Sequence, residues 1–130
     1  MRVPTRFILF LCVLAAAGCG KQKSTNELIA DLKSSQEGDR IRAARLLPQR
    51  EADAARVVPA LVESLKDKQG DVRWSAAIGL GYFGEEARDA IPALQQAQSD
   101  RDARVREAAD VALSRIDPAR FPVVSKRRRK

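Results

Sequence analysis

Histidine is absent from this chain of 130 residues, which also has only two cysteines and a 5% share of aromatic residues. The lack of histidine excludes the commonest general base and metal ligand at neutral pH. Both cysteines, Cys12 and Cys19, lie in the first twenty residues, so the rest of the chain has no thiol to form a disulfide. Alanine, leucine, arginine and glutamate are plentiful instead, and this composition favours helix.

Positive charge is concentrated at the two ends of the chain. The formal net charge is +7, from 24 Lys and Arg residues against 17 Asp and Glu residues. Seven of the basic residues are Arg2, Arg6 and the five of segment 126–130, and without them the two signs balance. A neutral body does not predict a nucleic-acid-binding surface, so nucleic acid is not an expected partner.

The beginning of the chain has the organisation of an export signal. Two arginines precede an apolar run, Phe7 to Ala17, which is too short to cross a membrane because a spanning helix needs about 20 residues. Small residues follow in the order Ala16-Ala17-Gly18-Cys19. This pattern is typical of a secretory signal peptide, here residues 1–18. An ordinary signal peptide cut near the second of these alanines would leave Cys19 as a free thiol.

The same four residues resemble the lipobox of bacterial lipoproteins, although Ala16 stands where that family prefers leucine. The resemblance implies cleavage before Cys19, a diacylglyceryl group on its sulfur, and an acyl chain such as palmitate on the new amino terminus. Glycine rather than aspartate at position 20 implies the outer membrane, on its periplasmic side, in a Gram-negative source. We therefore expect a lipid-anchored protein of the cell envelope, with residues 19–25 as a short tether.

The body of the chain contains an internal repeat with a period of 33 residues. VVPALVESLKD (57–67) aligns with AIPALQQAQSD (90–100), and DVRWSAAIGL (71–80) aligns with RVREAADVAL (104–113). A looser first copy joins LIADLK (28–33) to DRIRAARLL (39–47), with about two extra residues in its loop. A repeat of this length indicates one supersecondary unit that must stack on its neighbours to bury its apolar face.

Each copy is predicted to be a pair of amphipathic helices. Val58, Leu61 and Leu65 follow one another at helical spacing in the first helix of the second copy, and the second helix has a similar stripe. Asp71 and Asp102 stand where an N-cap is expected, and Gly84 suits the end of a helix. Two prolines, at positions 59 and 92, are each expected to begin the main part of a helix after a short preceding turn.

These features resemble the HEAT-like repeats best known from phycobilisome lyases. The resemblance covers residues 26–117 and rests on the following residues: Pro59, Ala60, Leu61, Leu65, Val72, Arg73, Ala76 and Leu80, with Pro92, Ala93, Leu94, Val105, Arg106, Ala109 and Leu113. It implies an all-α fold, a short α-solenoid of about three helix pairs. It also implies a lyase-like or chaperone role toward a cofactor-bearing protein as an alternative function.

Catalytic chemistry is not indicated by the sequence. Carboxylates and arginines are numerous but scattered, and Glu85 and Glu86, being adjacent, would point in different directions on a helix. No Ser/His/Asp set, glycine-rich phosphate loop or metal-ligand spacing is present. We therefore expect a protein that is not an enzyme and that has no cofactor and no metal.

The second copy carries an aromatic stripe that the third copy lacks. Trp74, Ile78 and Tyr82 fall at i, i+4 and i+8, where the third copy has Glu107, Val111 and Arg115. Exposed aromatic residues are frequent hot spots for partner binding, so these three are candidate partner-binding residues. The alternative is that the tryptophan fills space against a neighbouring helix.

Arginines recur at the start of the second helices. Arg42, Arg73 and Arg106 each follow the first apolar residue of such a helix. They are candidates to meet acidic partners, and Arg73 and Arg106 join the candidate partner-binding set. The alternative is that each pairs with a nearby aspartate or backbone carbonyl between repeats, since a position that recurs with the repeat usually serves the stacking.

The end of the chain, residues 118–130, is expected to be a disordered basic tail. Its charged residues are Arg120 and the run Lys126, Arg127, Arg128, Arg129 and Lys130. The run is a candidate contact for an anionic surface such as lipid head groups, and the alternative is a solvated tail that aids solubility. Taken together, the sequence predicts a membrane-anchored, non-catalytic scaffold or adaptor that binds an unidentified protein partner.

Overall fold

The computed structural model describes residues 21–122, which form six α-helices and contain no β-strand. The helices are, in chain order, α1 (Thr25–Asp31), α2 (Glu37–Leu46), α3 (Ala54–Ser64), α4 (Gly70–Tyr82), α5 (Ile91–Ala97) and α6 (Ala103–Ile116). Short 3-10 turns occupy Leu47–Gln49, Glu51–Asp53 and Gly84–Ala90. The prediction of an all-α fold is confirmed.

The helices pair along the chain and form two layers. α1 packs on α2, α3 on α4, and α5 on α6. In one layer α4 lies between α2 and α6; in the other, α3 contacts α1 on one side and the Gly84–Ala90 segment that leads into α5 on the other. Neither helix of a pair can bury its apolar stripe alone, so the stacking of three pairs provides the core. This is the predicted short α-solenoid.

The core is built from leucines that recur every 33 residues. The first helices of the three pairs contribute Leu28, Leu61 and Leu94, and the second series, at or beyond the middle of each pair, is Leu47, Leu80 and Leu113. Every one of the six is at most 1% exposed. Burying a leucine side chain stabilises a fold by roughly 1.5–3 kcal/mol, so these positions account for much of the driving force for stacking.

Small residues allow the second helices to approach one another closely. Ala43, Ala76 and Ala109 are again 33 residues apart, and each is at most 1% exposed. A Cβ atom added at Gly81 of α4 would lie 3.1 Å from Ala112 Cα of α6. The short distance between the two helix backbones depends on the missing side chain at this position.

The first repeat keeps the same register as the other two. α2 follows its N-cap Gln36, α4 follows Gln69 and α6 follows Asp102, each 33 residues after the last. The two extra loop residues predicted for the first copy are therefore wrong. The alignment that required them set Asp39 against Asp71, whereas the structure pairs the two helices by their caps and buried leucines.

Two predicted helix ends are confirmed, and one N-cap is wrong. The carboxylate of Asp102 accepts a hydrogen bond of 2.9 Å from the backbone N–H of Arg104, so Asp102 caps α6. Gly84 follows α4 with φ of +53°, the left-handed conformation that glycine adopts without strain. Asp71 does not cap α4, because it lies inside the first turn, after Gly70. Its carboxylate there still favours the helix dipole.

The two prolines differ in their positions. Pro92 is the second residue of α5, which follows the Gly84–Ala90 turn, as predicted. Pro59 lies inside α3, which begins at Ala54 rather than near the proline. A proline this far into a helix leaves one carbonyl without its intrahelical partner. None of the helices in the described part of the chain combines the length and the apolarity needed to cross a membrane.

Candidate functional site

The aromatic stripe lines a groove between α4 and α6. Trp74, Ile78 and Tyr82 form the α4 side, while the α6 side consists of Arg104, Glu107, Ala108, Val111, Ala112 and Arg115. The groove encloses about 460 Å³. Its floor is narrow because α4 and α6 approach closely at Gly81 and Ala112. The groove therefore belongs to the layer of second helices, with one wall from each of two successive repeats.

Exposure differs along the stripe. Tyr82 is 70% exposed, and Val111 on the opposite wall is 45% exposed. Trp74 and Ile78 are half-buried and pack against the hydrophobic core. The tryptophan thus contacts neighbouring side chains, as the packing interpretation expects, and also lines the groove. The tyrosine presents most of its ring to solvent.

Cations stand beside both aromatic rings. The guanidinium of Arg45, on α2, lies 5.9 Å from the centre of the Trp74 ring, and that of Arg115 lies 5.8 Å from the centre of the Tyr82 ring. These distances are within the range of cation–π attraction. The groove thus has an apolar floor with positive charge at its edges, which suits a partner surface with apolar and acidic groups.

Arg104 links the two repeats at the mouth of the groove. Its guanidinium lies 2.8 Å from a carboxylate oxygen of Asp71 and 2.8 Å from one of Asp102. The hydrogen bond from Arg104 lowers the pKa of Asp102, and the same bond is the largest cause of the raised pKa of Arg104. Asp71, wrongly predicted as a cap, therefore serves to hold α4 to the start of α6.

A second constellation, an arginine ladder, joins the loops of successive repeats. Arg73 Nε and Nη2 donate to the two carboxylate oxygens of Asp100 at 2.8 and 2.9 Å. Its Nη1 donates to the carbonyl oxygens of Asp67 and Lys68 at 2.8 and 3.2 Å. Bidentate geometry of this kind is the strongest that arginine forms with a carboxylate.

The first repeat has the same arrangement, at Arg40. Its Nε and Nη2 donate to Asp67 at 2.8 and 3.3 Å, and its Nη1 donates to the carbonyls of Ser34 and Ser35. Arg40 and Arg73 are each 6% exposed. Sequence reasoning missed Arg40 and both aspartates of the ladder.

The predicted arginines therefore have three different environments. Arg42 is not the repeating residue: it is exposed and pairs with Asp39, three positions earlier. Arg73 is buried and engaged within the chain, as the alternative interpretation of the recurring arginines expects, so the structure does not offer it to a partner. Arg106 is exposed. Cys19 and residues 126–130, the other predicted site residues, lie outside the described residues.

The buried ladder predicts a specific dependence of stability on pH. The hydrogen bond from Arg73 lowers the pKa of Asp100 in the folded state. A lowered folded-state pKa stabilises the fold above the unfolded-state value of about 3.9 and is lost as the pH falls through the folded-state pKa. We expect the difference in free energy of unfolding between wild type and Asp100→Asn to be constant from pH 7 to 5 and to shrink below about pH 4. Urea titrations at each pH measure it, and a difference that grows on acidification would contradict the assignment.

Comparison with known proteins adds to this geometry. A family model described as HEAT repeats matches residues 25–114. The solved complex of CpcE and CpcF of phycocyanin lyase from Nostoc sp. PCC7120 contains a similar chain, with a TM-score of 0.68 and 32% sequence identity. The match covers 77% of the present chain and 40% of that chain, so the present chain spans less than half the length of this relative. No curated protein sequence matches the chain.

Proposed function

The chain belongs to the HEAT repeat family, and from that premise we propose that it works by holding a partner protein against the groove between α4 and α6. The observation that carries the proposal is Tyr82, a tyrosine 70% exposed beside a half-buried tryptophan in a groove with cationic edges. Aromatic side chains that are rigidly held and partly exposed dominate the binding energy of many interfaces.

We propose further that the partner is a cofactor-bearing protein and that the role is lyase-like or chaperone-like. The similarity to a chain in the CpcE and CpcF complex of phycocyanin lyase supports this choice. In such a role the present chain contributes binding and orientation of the partner. Residues 21–122 contain no cluster of three potential metal ligands, and the proposal assigns no metal or cofactor to this chain.

The groove is tested by removing its aromatic anchors. In a pull-down from the source cells, we expect the variant with both Trp74→Ala and Tyr82→Ala to recover at least about thirtyfold less of the partner, since anchors of this kind contribute about 2 kcal/mol or more. Helical circular dichroism should be retained. A partner with visible absorbance from a bound cofactor would support the lyase-like role.

Leu46→Ala is the matched control. Leu46 is 37% exposed and lies on α2, outside the groove, so its truncation also removes apolar surface but should leave recovery unchanged. Equal recovery by wild type and by the variant lacking both aromatics would rule out the groove as the docking site. Equal losses from the Leu46 control and from that variant would indicate a general effect of apolar surface.

A second candidate function is that of a lipid-anchored scaffold in the cell envelope. It is supported by the sequence Ala16-Ala17-Gly18-Cys19 after a short apolar run, and by the basic run 126–130 as a contact for anionic head groups. In this role the same groove would hold a partner near the outer membrane. The two candidates differ in location, so the state of the amino terminus separates them.

Mass spectrometry of protein purified from its own cells measures that state. The anchored role predicts a chain that begins at Cys19 and carries acyl chains, and Cys19→Ser should leave the protein out of the membrane fraction. Several acyl chains bind a membrane nearly irreversibly, so high salt should not release the wild type. An intact Met1 with an unmodified Cys19 would reject the anchor and favour the lyase-like role.

A further inference from the structure

The third arginine of the ladder is held in the same way as the first two. Arg106 Nη1 donates to the carbonyl oxygens of Asp100 and Arg101 at 2.8 and 3.3 Å. These carbonyls stand five and six residues before it, as Asp67 and Lys68 stand before Arg73. The guanidinium of Arg106 is therefore oriented by the same backbone contacts that orient the buried member of the series.

The other edge of this guanidinium has no carboxylate among residues 21–122. In Arg40 and Arg73, Nε and Nη2 face an aspartate that lies 27 residues later in the chain. For Arg106 the corresponding position would be 133, beyond Lys130, and residues 118–130 contain no Asp or Glu. Arg106 is exposed, whereas the two paired arginines are each 6% exposed.

We propose that the Nε–Nη2 edge of Arg106 is a docking point for an aspartate carboxylate on a loop of a partner protein. The chain itself shows what the loop must offer. Asp67 and Asp100 each accept a backbone N–H from the residue two positions later while they accept both donors of the arginine. An aspartate that caps its own tight turn is therefore the matching group. This surface is separate from the α4–α6 groove.

A second copy of the chain does not fit this edge. Ser34 occupies the position equivalent to Asp67 and Asp100, so head-to-tail stacking would offer a hydroxyl in place of the carboxylate. The adjoining face of α6 is also polar. Asp110 and Ser114 replace Ala77 and Gly81, which are both buried in the preceding repeat. A polar face beside an oriented arginine suits an acidic loop rather than another stacked helix pair.

The proposal is tested with a blocked peptide of residues 64–70, SLKDKQG, which carries the Asp67 loop in isolation. Its single carboxylate and two lysines give it no general attraction to a basic protein. We expect a saturable shift of the Arg106 Nε–Hε signal in nitrogen-15 NMR, with Kd on the order of a few millimolar. The peptide with asparagine at position 67 should bind at least about tenfold more weakly, because a charged hydrogen bond is lost.

Three variants of the protein complete the test. Arg106→Lys keeps the charge but lacks the bidentate fork, and should weaken peptide binding about tenfold; because lysine has no Nε–Hε, its binding is read from the backbone amide signals of α6. Arg88→Gln removes an exposed positive charge elsewhere and should bind as wild type does. Equal binding of the two peptides, or no saturation below about 20 mM, would overturn the proposal. A dimer in sedimentation that Arg106→Gln abolishes would also overturn it, in favour of a second copy.

Discussion

Replacing Asp100 with alanine is expected to lower the free energy of unfolding by about 3 kcal/mol, or Tm by about 15 °C for a domain of this size. The side chains of Arg73 and Asp100 are only 7% and 12% exposed. Removal of the carboxylate leaves the guanidinium buried without its counter-charge, and this penalty exceeds the net value of the pair itself. Urea unfolding followed by circular dichroism measures the change.

A matched control is available on the surface of the same fold. Glu63→Ala breaks the ion pair with Lys66, in which the two side chains are 71% and 69% exposed. Solvent screening reduces such pairs to about 0.5 kcal/mol or less. The same large loss is expected for Asp67→Ala, since Asp67 binds Arg40 in the equivalent geometry. If Asp100→Ala cost no more than Glu63→Ala, the ladder would not stabilise the stack.

The helix pairs could be predicted from the sequence because their signals are local. The stripe of Val58, Leu61 and Leu65 lies within two turns of one helix, and the leucines at its core recur every 33 residues. The line of Trp74, Ile78 and Tyr82 follows from helical spacing alone. That this line faces α6 required the layer order of the second helices, which the repeat implies only once the helices stack.

The ladder could not be read from local pattern. Arg40 and Arg42 flank the same apolar residue, so either fits the start of an amphipathic helix. Their roles are decided by Asp67, 27 residues later, which binds Arg40 and leaves Arg42 on the surface. Asp71 was mistaken for a cap for a related reason, because two acidic residues near a helix start are distinguished only by backbone geometry.

The ladder and the groove divide the work of the fold between the loops and the second helices. The buried arginines join one repeat to the next, which fixes the spacing of α4 and α6 and hence the width of the groove between them. Stability of the stack and the shape of the groove are therefore coupled. Substitutions that move α4 relative to its neighbours should affect both, and the glycines of α4 are the most sensitive positions.

Gly79→Val is expected to lower the free energy of unfolding by about 3 kcal/mol, because α4 approaches α2 and α3 too closely at this residue for any side chain. A Cβ atom there would lie 2.8 Å from Pro48 Cγ, 3.2 Å from Leu61 Cδ1 and 3.4 Å from the carbonyl oxygen of Ala44. The last of these is backbone and cannot turn aside. Relief would require α4 to shift away from its neighbours.

The same substitution at Gly38 separates this effect from helix propensity. Gly38 lies in the first turn of α2, and a Cβ there meets nothing within 4 Å. Valine and glycine differ by only about 0.5 kcal/mol in helix propensity, so Gly38→Val should be close to neutral. Urea unfolding of the two variants gives the comparison. Losses of similar size at both positions would mean that α4 does not depend on close contact at Gly79, and that the groove beside it is not held by this packing.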